Sequence, residues 1–476
     1  MSEMTAALYV PSRSSRLGAT GRWGASLLAL GLLGVGFALL FNNANVSLPL
    51  ALAGGLALTG FLALAITHYD TAVAIGLLLM GVVRFEPAPP DLAFAVIMAV
   101  AAMTGRFRLN RVPRLARWIV GLLLIVNLLS MMDVVSMSEA VRFLFITIYL
   151  AIFSLWLTDY VDSTRRSRLV VVTWLAIAFI STAVSVLALN LPVPGRSFIL
   201  GSVDQGARAS GFFKDPNVYG PFLIPIALIV LEMRVAPRYP RLLRLRPMTS
   251  WLVLIVLALG ILESYSRAAW ASFAIGIVVM LAASGMRRAG ASRALRTLAL
   301  LLLAGAVVAV FLSATGSIGF LENRAHVQSY DSSRFAAQSL GWQLGWTHPV
   351  GIGPGQFAFH SPVASHSTYV RTFAEQGFLG LLLWVALLLA TLVMALRNVV
   401  IGMDTFGIGS AALLGAWCGL IFNSVFVDTL HWRHLWVVAA LIWAGTARTE
   451  LARAAPANGR FALARRPQLA LAPRRS

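Results

Sequence analysis

Apolar runs recur along almost the whole chain, and they constrain its fold more than any other feature. Many approach the roughly 20 residues that an α-helix needs to cross the hydrocarbon core of a bilayer. Inside that core, only helices and closed barrels satisfy every backbone hydrogen bond. The runs lack the alternation of apolar and polar residues that barrel strands show, so the sequence predicts a bundle of membrane-spanning α-helices.

Charge is scarce, and its placement indicates the same class of protein. Only 12% of the residues are charged, whereas a soluble domain carries about 25%. The formal net charge of +20 does not indicate a nucleic-acid partner, because the arginines lie in short loops between the apolar runs. Cys418 is the single cysteine, which excludes an intramolecular disulfide and a cysteine metal site.

We predict an all-α, polytopic membrane bundle of 12–14 transmembrane helices that forms a single membrane domain over residues 1–476. The first apolar run follows three arginines and lacks a clear cleavage site, so we interpret it as an uncleaved span. The third and fourth runs are short, and the count is twelve if they are re-entrant. The predicted spans are 22–41, 46–66, 71–84, 91–105, 118–135, 139–158, 169–190, 216–233, 249–264, 267–284, 297–314, 366–396, 406–427 and 434–448.

The distribution of basic residues predicts the orientation of the bundle. With the N-terminus in the cytoplasm, 28 of the 38 basic residues fall on the cytoplasmic side. The positive-inside rule expects such an excess. We therefore predict a multi-pass protein with both termini in the cytoplasm.

Two segments on the outer side are too long to be simple turns, and long loops in compact proteins are usually functional or disordered. One covers 191–215, and the other, 315–365, contains a helix-like piece at 333–346 with several aromatic residues. We expect 315–365 to form a helical cap at the membrane surface. The tail 449–476 is rich in Arg, Ala and Pro, and we expect a disordered cytoplasmic segment that touches anionic lipid.

Six of the seven histidines lie on the outer side in this topology. Because histidine titrates near neutral pH, one of them is a candidate general base. The strongest candidate is His366, where the long outer loop enters the next span, and Tyr369 shares its helix face. Gly377 and Gly380 follow on one predicted helix face, which would allow close packing against a neighbour. Glu375 lies about half a turn from the histidine, so no His–Glu dyad is expected on this helix.

Two outer arginines are candidates for binding an anion. Arg208 precedes Asp215-Pro216, which resembles the start of a helix, and Arg267 begins another span. Arginine forms forked, charge-assisted bonds to phosphate, and a helix N-terminus adds donors and a positive dipole end. The pair is a candidate pyrophosphate site; the alternative is that both arginines bind lipid phosphates at the interface.

Further outer residues are candidates for substrate binding. They are Lys214 beside the predicted helix start, Arg334 in the cap, and His348, which opens a glycine-rich segment. The amides of that segment would suit an anion, with a structural turn as the alternative. Within spans, Arg142 and Arg371 are candidates by default. The sequence contains no paired acids, nucleotide-binding loop or metal-binding motif, so no metal ligand is predicted.

These residues together resemble the O-antigen ligase superfamily, which also includes O-antigen polymerases and protein O-oligosaccharyltransferases. His366-Ser367, nine intervening residues and then Gly377-Phe378-Leu379-Gly380 resemble the histidine pattern of the ligases. The residues after Arg267 lack the leucine expected of ligases. The segments that look like the other landmarks of the family, in the same order, are Arg208-Ala209-Ser210-Gly211, Asp215-Pro216-Asn217, Ser266-Arg267 and His348-Pro349-Val350-Gly351-Ile352-Gly353.

The resemblance implies an inverting glycosyltransferase that needs neither metal nor cofactor and whose bundle is related to type-C glycosyltransferases. It implies the bacterial inner membrane, an active site facing the periplasm, and a place in lipopolysaccharide biosynthesis. The implied donor is a glycan on undecaprenyl pyrophosphate, and the implied acceptor is a sugar hydroxyl of lipid A–core. In this scheme His366 is the general base, while Arg208 and Arg267 bind the pyrophosphate.

Three other activities are open. A polymerase would join repeat units, and a protein O-oligosaccharyltransferase would modify Ser or Thr, with the same base and cations; the spacing from His366 to Gly380 favours the ligase. The third, of another class, is a transporter or flippase of a lipid-linked glycan. Transporters are expected to show internal repeats or paired broken helices, which the sequence does not indicate.

Overall fold

The structure of the chain is a computed structural model. It describes residues 48–85, 88–203, 206–235, 242–243, 245–285 and 331–454, together with isolated positions between 298 and 326. The predicted span 22–41 and the tail beyond 454 lie outside the described residues. So do half of the predicted span 297–314 and most of the first part of the cap, 315–330.

The described chain is almost entirely helical, and each helix below except α10 overlaps a span predicted from the sequence. The helix α10 overlaps the helix-like piece predicted within the cap. The helices are α1 (Leu48–Thr67), α2 (Tyr69–Leu79), α3 (Pro89–Met103), α4 (Arg114–Leu129), α5 (Met137–Tyr160), α6 (Thr164–Asn190), α7 (Pro216–Val235), α8 (Pro247–Glu263), α9 (Arg267–Gly285), α10 (Asp331–Thr347), α11 (Thr368–Val400), α12 (Ser410–Phe426) and α13 (Arg433–Ala454). Single turns lie at Leu109–Arg111, Ser130–Asp133, Arg196–Ile199 and Gln356–Phe359, and two strands at Leu200–Val203 (β1) and Gly206–Ala209 (β2).

Within the described ranges, six helices are long and apolar enough to cross a membrane: α4 with the turn that follows it, α5, α6, α7, α9 and α11. Shorter apolar helices, including α2, α3, α8 and α12, lie among them. This arrangement confirms the predicted fold class, an all-α polytopic membrane protein. The 11 residues of α2 extend about 17 Å, less than the roughly 30 Å of a hydrocarbon core, so the third predicted span is too short to cross alone.

The two ends of the bundle carry different polar groups. The helix α5 begins beside Gln356, whose side-chain amide donates to the carbonyl oxygen of Ser136 at 3.1 Å. It ends 24 residues later, about 36 Å away. There Asp159 pairs with Arg111, 3.5 Å away, from the arginine-rich segment 106–117. We call the end of the bundle near Gln356 the site end, and the end near Asp159 and Arg111 the arginine end.

The helices α9 and α12 run antiparallel with their backbones almost in contact. A Cβ on Gly415 would lie 2.4 Å from the carbonyl oxygen of Gly276, and one on Gly419 would lie 2.6 Å from that of Ser272. Small residues permit such an approach between membrane helices and so increase van der Waals contact. Because α9 begins at the site end and α12 finishes there, this packing brings Arg267 close to the segment that follows α12.

The outer segment predicted at 191–215 contains a β-hairpin, which the sequence did not indicate. The strands β1 and β2 pair antiparallel, and Gly201 lies opposite Arg208. A Cβ on Gly201 would lie 2.8 Å from the ring of Pro216, the first residue of α7. The hairpin therefore packs on the start of α7 and fixes the position of Arg208 relative to that helix.

The helix α11 is interrupted at Gly377. Its φ of 69° and ψ of −167° are not helical, and residues with a side chain rarely adopt them. The N–H of Phe378 donates to the carbonyl oxygen of Pro349 at 3.2 Å, so the loop after α10 fills the break. The expectation that Gly377 and Gly380 share one helix face is therefore wrong, because the chain changes direction between them.

Replacing Gly377 by alanine should destabilise the protein by about 2–4 kcal/mol, because the backbone is strained for alanine and the new Cβ would lie 2.0 Å from the carbonyl oxygen of Pro349. The matched control is Gly121→Ala in α4, where no atom lies within 4 Å of the added Cβ. Thermal unfolding of both variants in detergent measures the difference. Equal melting temperatures for G377A and the unchanged chain would contradict the strain argument.

Candidate active site

Three helices that pack against α12 have their N-termini at the site end. The helix α7 begins at Pro216, α9 at Arg267 and α11 at Thr368. The first turn of a helix leaves backbone N–H groups without helical partners, and the dipole is positive at this end. The site end is therefore suited to anions before any side chain is considered.

The guanidinium of Arg208 is buried between two of these N-termini. The residue is only 5% exposed. Its Nε donates to the carbonyl oxygen of Ser264 at 2.8 Å, and its Nη2 donates to Oδ1 of Asn217 at 3.0 Å. Ser264 lies in the turn that leads into α9, and Asn217 lies in the first turn of α7. The hairpin thus places Arg208 against the turn that begins α9 at Arg267.

Arg267 directs its guanidinium to a carboxylate of the cap helix. Its Nη2 lies 2.8 Å from both carboxylate oxygens of Asp331, and its Nη1 donates to the carbonyl oxygen of His326 at 3.0 Å. Asp331 is the first residue of α10 and is buried. Carboxylates and phosphates are bound by arginine in the same forked geometry. This ion pair connects the cap to the start of α9.

His366 lies just before α11 in a strained backbone conformation. Its φ of 45° is in the left-handed region, which costs a residue with a side chain about 1–2 kcal/mol. Such strain persists only where the surroundings hold it, and it is frequent at functional sites. Tyr265, two residues before Arg267, has a φ of 49°. The turns that carry the two candidates are thus strained in the same way.

Charged groups from three elements act electrostatically on the imidazole of His366. They are Arg334 from α10, Asp215 from the residue before α7, and Asp428 from the turn between α12 and α13. Burial, followed by the positive charge of Arg334, lowers the pKa of His366, whereas the two carboxylates oppose this shift. The imidazole is therefore neutral at pH 7 and able to accept a proton.

On the α7 side, a short series of electrostatic interactions and hydrogen bonds connects His366 with Arg208. Asp215 faces the imidazole, and its Oδ1 accepts the backbone N–H of Asn217 at 2.8 Å. The side chain of Asn217 in turn accepts the hydrogen bond from Arg208. Two residues at the start of α7 thus relate to the two candidates: Asp215 to the predicted base, and Asn217 to the first predicted phosphate ligand.

On the α10 side, a second series connects His366 with Arg267. Arg334 faces the imidazole and lies three residues after Asp331, which is one helical turn. Asp331 holds Arg267. The structure therefore places Arg208, Arg267 and Arg334, three of the arginines singled out in the sequence, at the same end of the bundle as His366, with Arg334 close enough to act electrostatically on the imidazole.

Lys214 and Tyr369 occupy different positions at this end. Lys214 is exposed beside Asp215, at the edge of the site. The hydroxyl of Tyr369 donates to the carbonyl oxygen of Ile421 at 3.2 Å, so the phenol packs between α11 and α12. In this arrangement Lys214 lies outside the buried part of the site, and Tyr369 supports the helix that follows His366.

His348 is not brought to the site. It follows the last residue of α10, about 25 Å from the first residue of that helix. The glycine-rich segment after it binds α11, since the amides of Ile352 and Gly353 donate to the carbonyl oxygens of Ala374 and Glu375, each at 2.9 Å. These amides are used in packing, so the segment is a structural turn and not an anion site beside His366.

A buried charge cluster beside the site was not predicted from the sequence. Arg371 lies between Glu375, 3.0 Å from its Nε, and Asp428, and it rests 4.8 Å from the ring centroid of Phe143. The ring of His431 also packs against the ring of Phe143, with centroids 5.4 Å apart. Arg371 and Glu375 have the i,i+4 spacing of a helical ion pair. That spacing was the one sign of the cluster in the sequence, because Asp428 comes from a distant segment, the turn between α12 and α13.

Opposing effects set the charges in the turn after α12. Burial would raise the pKa of Asp428, but the guanidinium of Arg371 and the N–H of Leu430 together lower it below its ordinary value. Burial and then Arg371 lower the pKa of His431 to about 3. Nε2 of His431 lies 3.1 Å from Oγ1 of Thr147. At neutral pH, Asp428 is therefore an anion and His431 a neutral ring.

The groups around His366 define what the site can bind. Within the described ranges, His, Cys, Asp and Glu side chains form no group of three or more of the kind that holds a metal ion. Carboxylates at this end contact arginines instead, among them Asp331 with Arg267 and Asp428 with Arg371. A neutral imidazole near the guanidinium of Arg334, at a bundle end that also holds Arg208 and Arg267, suits an anionic substrate whose reaction partner must lose a proton.

Comparison with known families agrees with the predicted resemblance. The O-antigen ligase family model matches residues 252–385, from α8 through the cap and into α11. The match includes Arg267, Arg334 and His366, whereas Arg208 lies before it. No curated protein matches the chain. The resemblance to the O-antigen ligase superfamily is confirmed over the matched segment.

Replacing His431 by glutamine should make the stability of the chain less sensitive to acid. Its pKa is about 3 when folded, against an ordinary value of 6.5, so the unfolded chain takes up the proton first. Stability therefore falls as the pH drops from about 6.5 towards 3. We expect the loss between about pH 7 and pH 4 to be about 3 kcal/mol smaller in H431Q.

Melting temperatures in detergent across this pH range test the prediction. The control is His348→Gln, at the half-exposed end of α10. An acid slope in H431Q as steep as in the unchanged chain would contradict a buried, neutral His431.

Proposed function

We propose that this chain, which carries an O-antigen ligase domain over residues 252–385, is a glycosyltransferase of the O-antigen ligase type. It transfers a glycan from undecaprenyl pyrophosphate to a sugar hydroxyl of lipid A–core. The observation that supports the proposal is that His366, Arg208 and Arg267 lie at the same end of an apolar helix bundle, beside the starts of α11, α7 and α9. Both substrates are lipids, so a site at a bundle end, where headgroups lie, suits them.

His366 acts as the general base in the proposed reaction. The acceptor hydroxyl gives its proton to the imidazole and attacks the anomeric carbon of the donor glycan. A base must be unprotonated at the working pH, and burial with the neighbouring Arg334 lowers the pKa of His366. The strained backbone of His366 holds its ring just before the first turn of α11, which limits the positions that the acceptor can take.

Arg208 and Arg267 stabilise the leaving pyrophosphate. As the glycosidic bond breaks, negative charge grows on the diphosphate, and fixed cations aimed at that position lower the barrier. Arg208 is held rigidly by Ser264 and Asn217. The N-termini of α7 and α9 add positive dipole ends beside it. Attack in line with the departing diphosphate inverts the anomeric centre.

Asp331 shows how Arg267 binds an anion. Both oxygens of its carboxylate lie 2.8 Å from Nη2 of Arg267, a position that suits the oxygens of a phosphate as well. We propose that the donor pyrophosphate binds Arg267 in place of Asp331 or shares the guanidinium with it. Arg334, one turn further along α10, then lies where it can contact the second phosphate or the glycan.

We propose that the chain lies in the inner membrane with its site end facing the periplasm. The arginine end carries Arg111 with its neighbours in 106–117, and the positive-inside rule assigns such an end to the cytoplasm. The two lipids enter from the side, between helices and under the cap 315–365. Membrane lipids are the remaining partners.

Replacing His366 by glutamine should reduce transfer by at least about 100-fold while donor binding is retained, because glutamine keeps the volume but cannot take the proton. The assay uses purified protein, lipid-linked donor and lipid A–core, with EDTA present because the scheme needs no metal. In the unchanged chain, kcat/KM should fall on the acid side as His366 becomes protonated.

The control is His360→Gln, an exposed histidine of the same loop whose ring lies 3.2 Å from the carbonyl oxygen of Gln356. Full turnover by H366Q would remove His366 from catalysis. Transfer that stops when EDTA is added would contradict the metal-independent scheme.

Replacing Arg208 or Arg267 by alanine should weaken donor binding and slow transfer by about 10²–10³-fold each, because each removes a fixed cation from the leaving group. The matched control is Arg196→Ala, an exposed arginine at the same end that donates to the carbonyl oxygen of Leu189 at 3.3 Å. Titration with donor and single-turnover transfer separate binding from chemistry. Donor affinity unchanged in both variants would show that they do not hold the pyrophosphate.

The products of these assays also separate the alternative functions. A polymerised lipid-linked glycan formed without lipid A would indicate an O-antigen polymerase. A glycan on protein Ser or Thr would indicate a protein O-oligosaccharyltransferase. Movement of the donor across proteoliposomes without transfer would indicate a flippase.

A further inference from the structure

The turn between α12 and α13, residues 427–432, is bound to the first turn of α11, directly after His366. Oγ1 of Thr368 accepts the N–H of Thr429 at 2.7 Å and lies 3.0 Å from its hydroxyl oxygen. The hydroxyl of Ser424, at the end of α12, lies 2.6 Å from the same hydroxyl of Thr429. The residues next to His366 are therefore fixed by a segment more than sixty positions away in the chain.

The ion pair between Arg371 and Asp428 reinforces this contact. The side chain of Arg371 is 15% exposed and that of Asp428 is 23% exposed. Arg371 also binds Glu375 within its own helix and lies over the ring of Phe143 from α5. A guanidinium with partners on three sides has little freedom, so the orientation of α11 at its start is set by this residue.

The strained backbone of His366 makes such a clamp necessary. A φ of 45° is maintained only where surrounding contacts outweigh its cost. On the loop side, the hydroxyl of Ser365 donates to the carbonyl oxygen of Ser367 at 3.3 Å. On the helix side, the 427–432 turn supplies the contacts at Thr368 and Arg371. Loss of the ion pair would let the turn relax and the imidazole move.

We propose that Asp428, held by Arg371, is a positioning residue for His366. The ion pair fixes the turn that presents the imidazole, and the carboxylate faces the ring with the charge that a protonated imidazole requires. This inference rests on the proposed function, in which His366 accepts the proton of the acceptor.

The other charged groups near the imidazole are accounted for. Arg334 from α10 and Asp215 from the start of α7 face it from the opposite elements. Glu375 lies on the far side of Arg371 and bonds the N–H of Phe357 at 3.3 Å. His431 is neutral in this turn. Asp428 is therefore the anion that a single substitution can remove from the α12 side.

The test compares the pH dependence of kcat/KM for three variants. In Asp428→Asn the cation of Arg371 remains without its carboxylate. The acid limb, which is the part of the pH profile where kcat/KM falls at low pH, should therefore move to lower pH. In Arg371→Gln the carboxylate remains without its cation, so the limb should move to higher pH. In the double variant the limb should return towards that of the unchanged chain. We expect kcat to fall about tenfold in each because the imidazole is less well placed.

Limbs that stay unchanged in both single variants, or that move in the same direction, would overturn the proposal. A merely structural role predicts lower activity without opposite shifts. If D428N does not fold, Asp428→Glu replaces it: the charge stays but moves by one methylene, so kcat should fall while the acid limb keeps its position. An unchanged kcat in D428E would overturn the proposal as well.

The matched control is Asp91→Asn, which removes the partner of Arg433 at the same end of the bundle. It should leave the acid limb unchanged. The outcome for H366Q separates the two proposals. If H366Q is fully active, the assignment of the base fails. If H366Q is inactive while D428N keeps the original kcat and acid limb, only the positioning role fails.

Discussion

An arginine buried at the end of a membrane bundle is stable only where it finds a partner, because an unpaired buried charge is costly. At the site end these partners come from other elements. Arg371 binds the turn after α12, Arg267 binds the first residue of α10, and Arg208 binds the turns that begin α7 and α9. Each contact joins segments that are distant in the chain. The same pairs that hold the bundle end together therefore decide which turns surround His366.

Much of the fold could be predicted because it depends on local properties of the sequence. An apolar run of sufficient length reports a helix whatever its neighbours are, and the described helices overlap the predicted spans. The helix in the cap was predicted from a different local property, the aromatic residues of its helix-like piece. The family motifs then singled out His366, Arg208 and Arg267, and the structure places them at one end. Their chemical roles stay predictions.

What could not be predicted depends on contacts between distant segments. The pattern around Gly377 is that of a continuous helix, and the break exists because the backbone at Pro349 approaches closely. The hairpin that carries Arg208 has no alternating pattern of its own, and it packs on the start of α7. Asp428 gives no signal as a partner of Arg371, because 57 positions separate them and only the packing of α11 with α12 brings them together.

The geometry also bears on the simpler alternative, that the arginines only contact lipid headgroups. A side chain that extends to the interface keeps its charged end in water or among headgroups. Arg208 instead has 5% exposure and bonds to Ser264 and Asn217. Lipid contact requires no strained backbone either, whereas the turns before α9 and α11 hold Tyr265 and His366 at positive φ. Rigid cations beside a strained, neutral imidazole fit a site where one bond must be broken and one proton removed, and a general lipid contact would need neither.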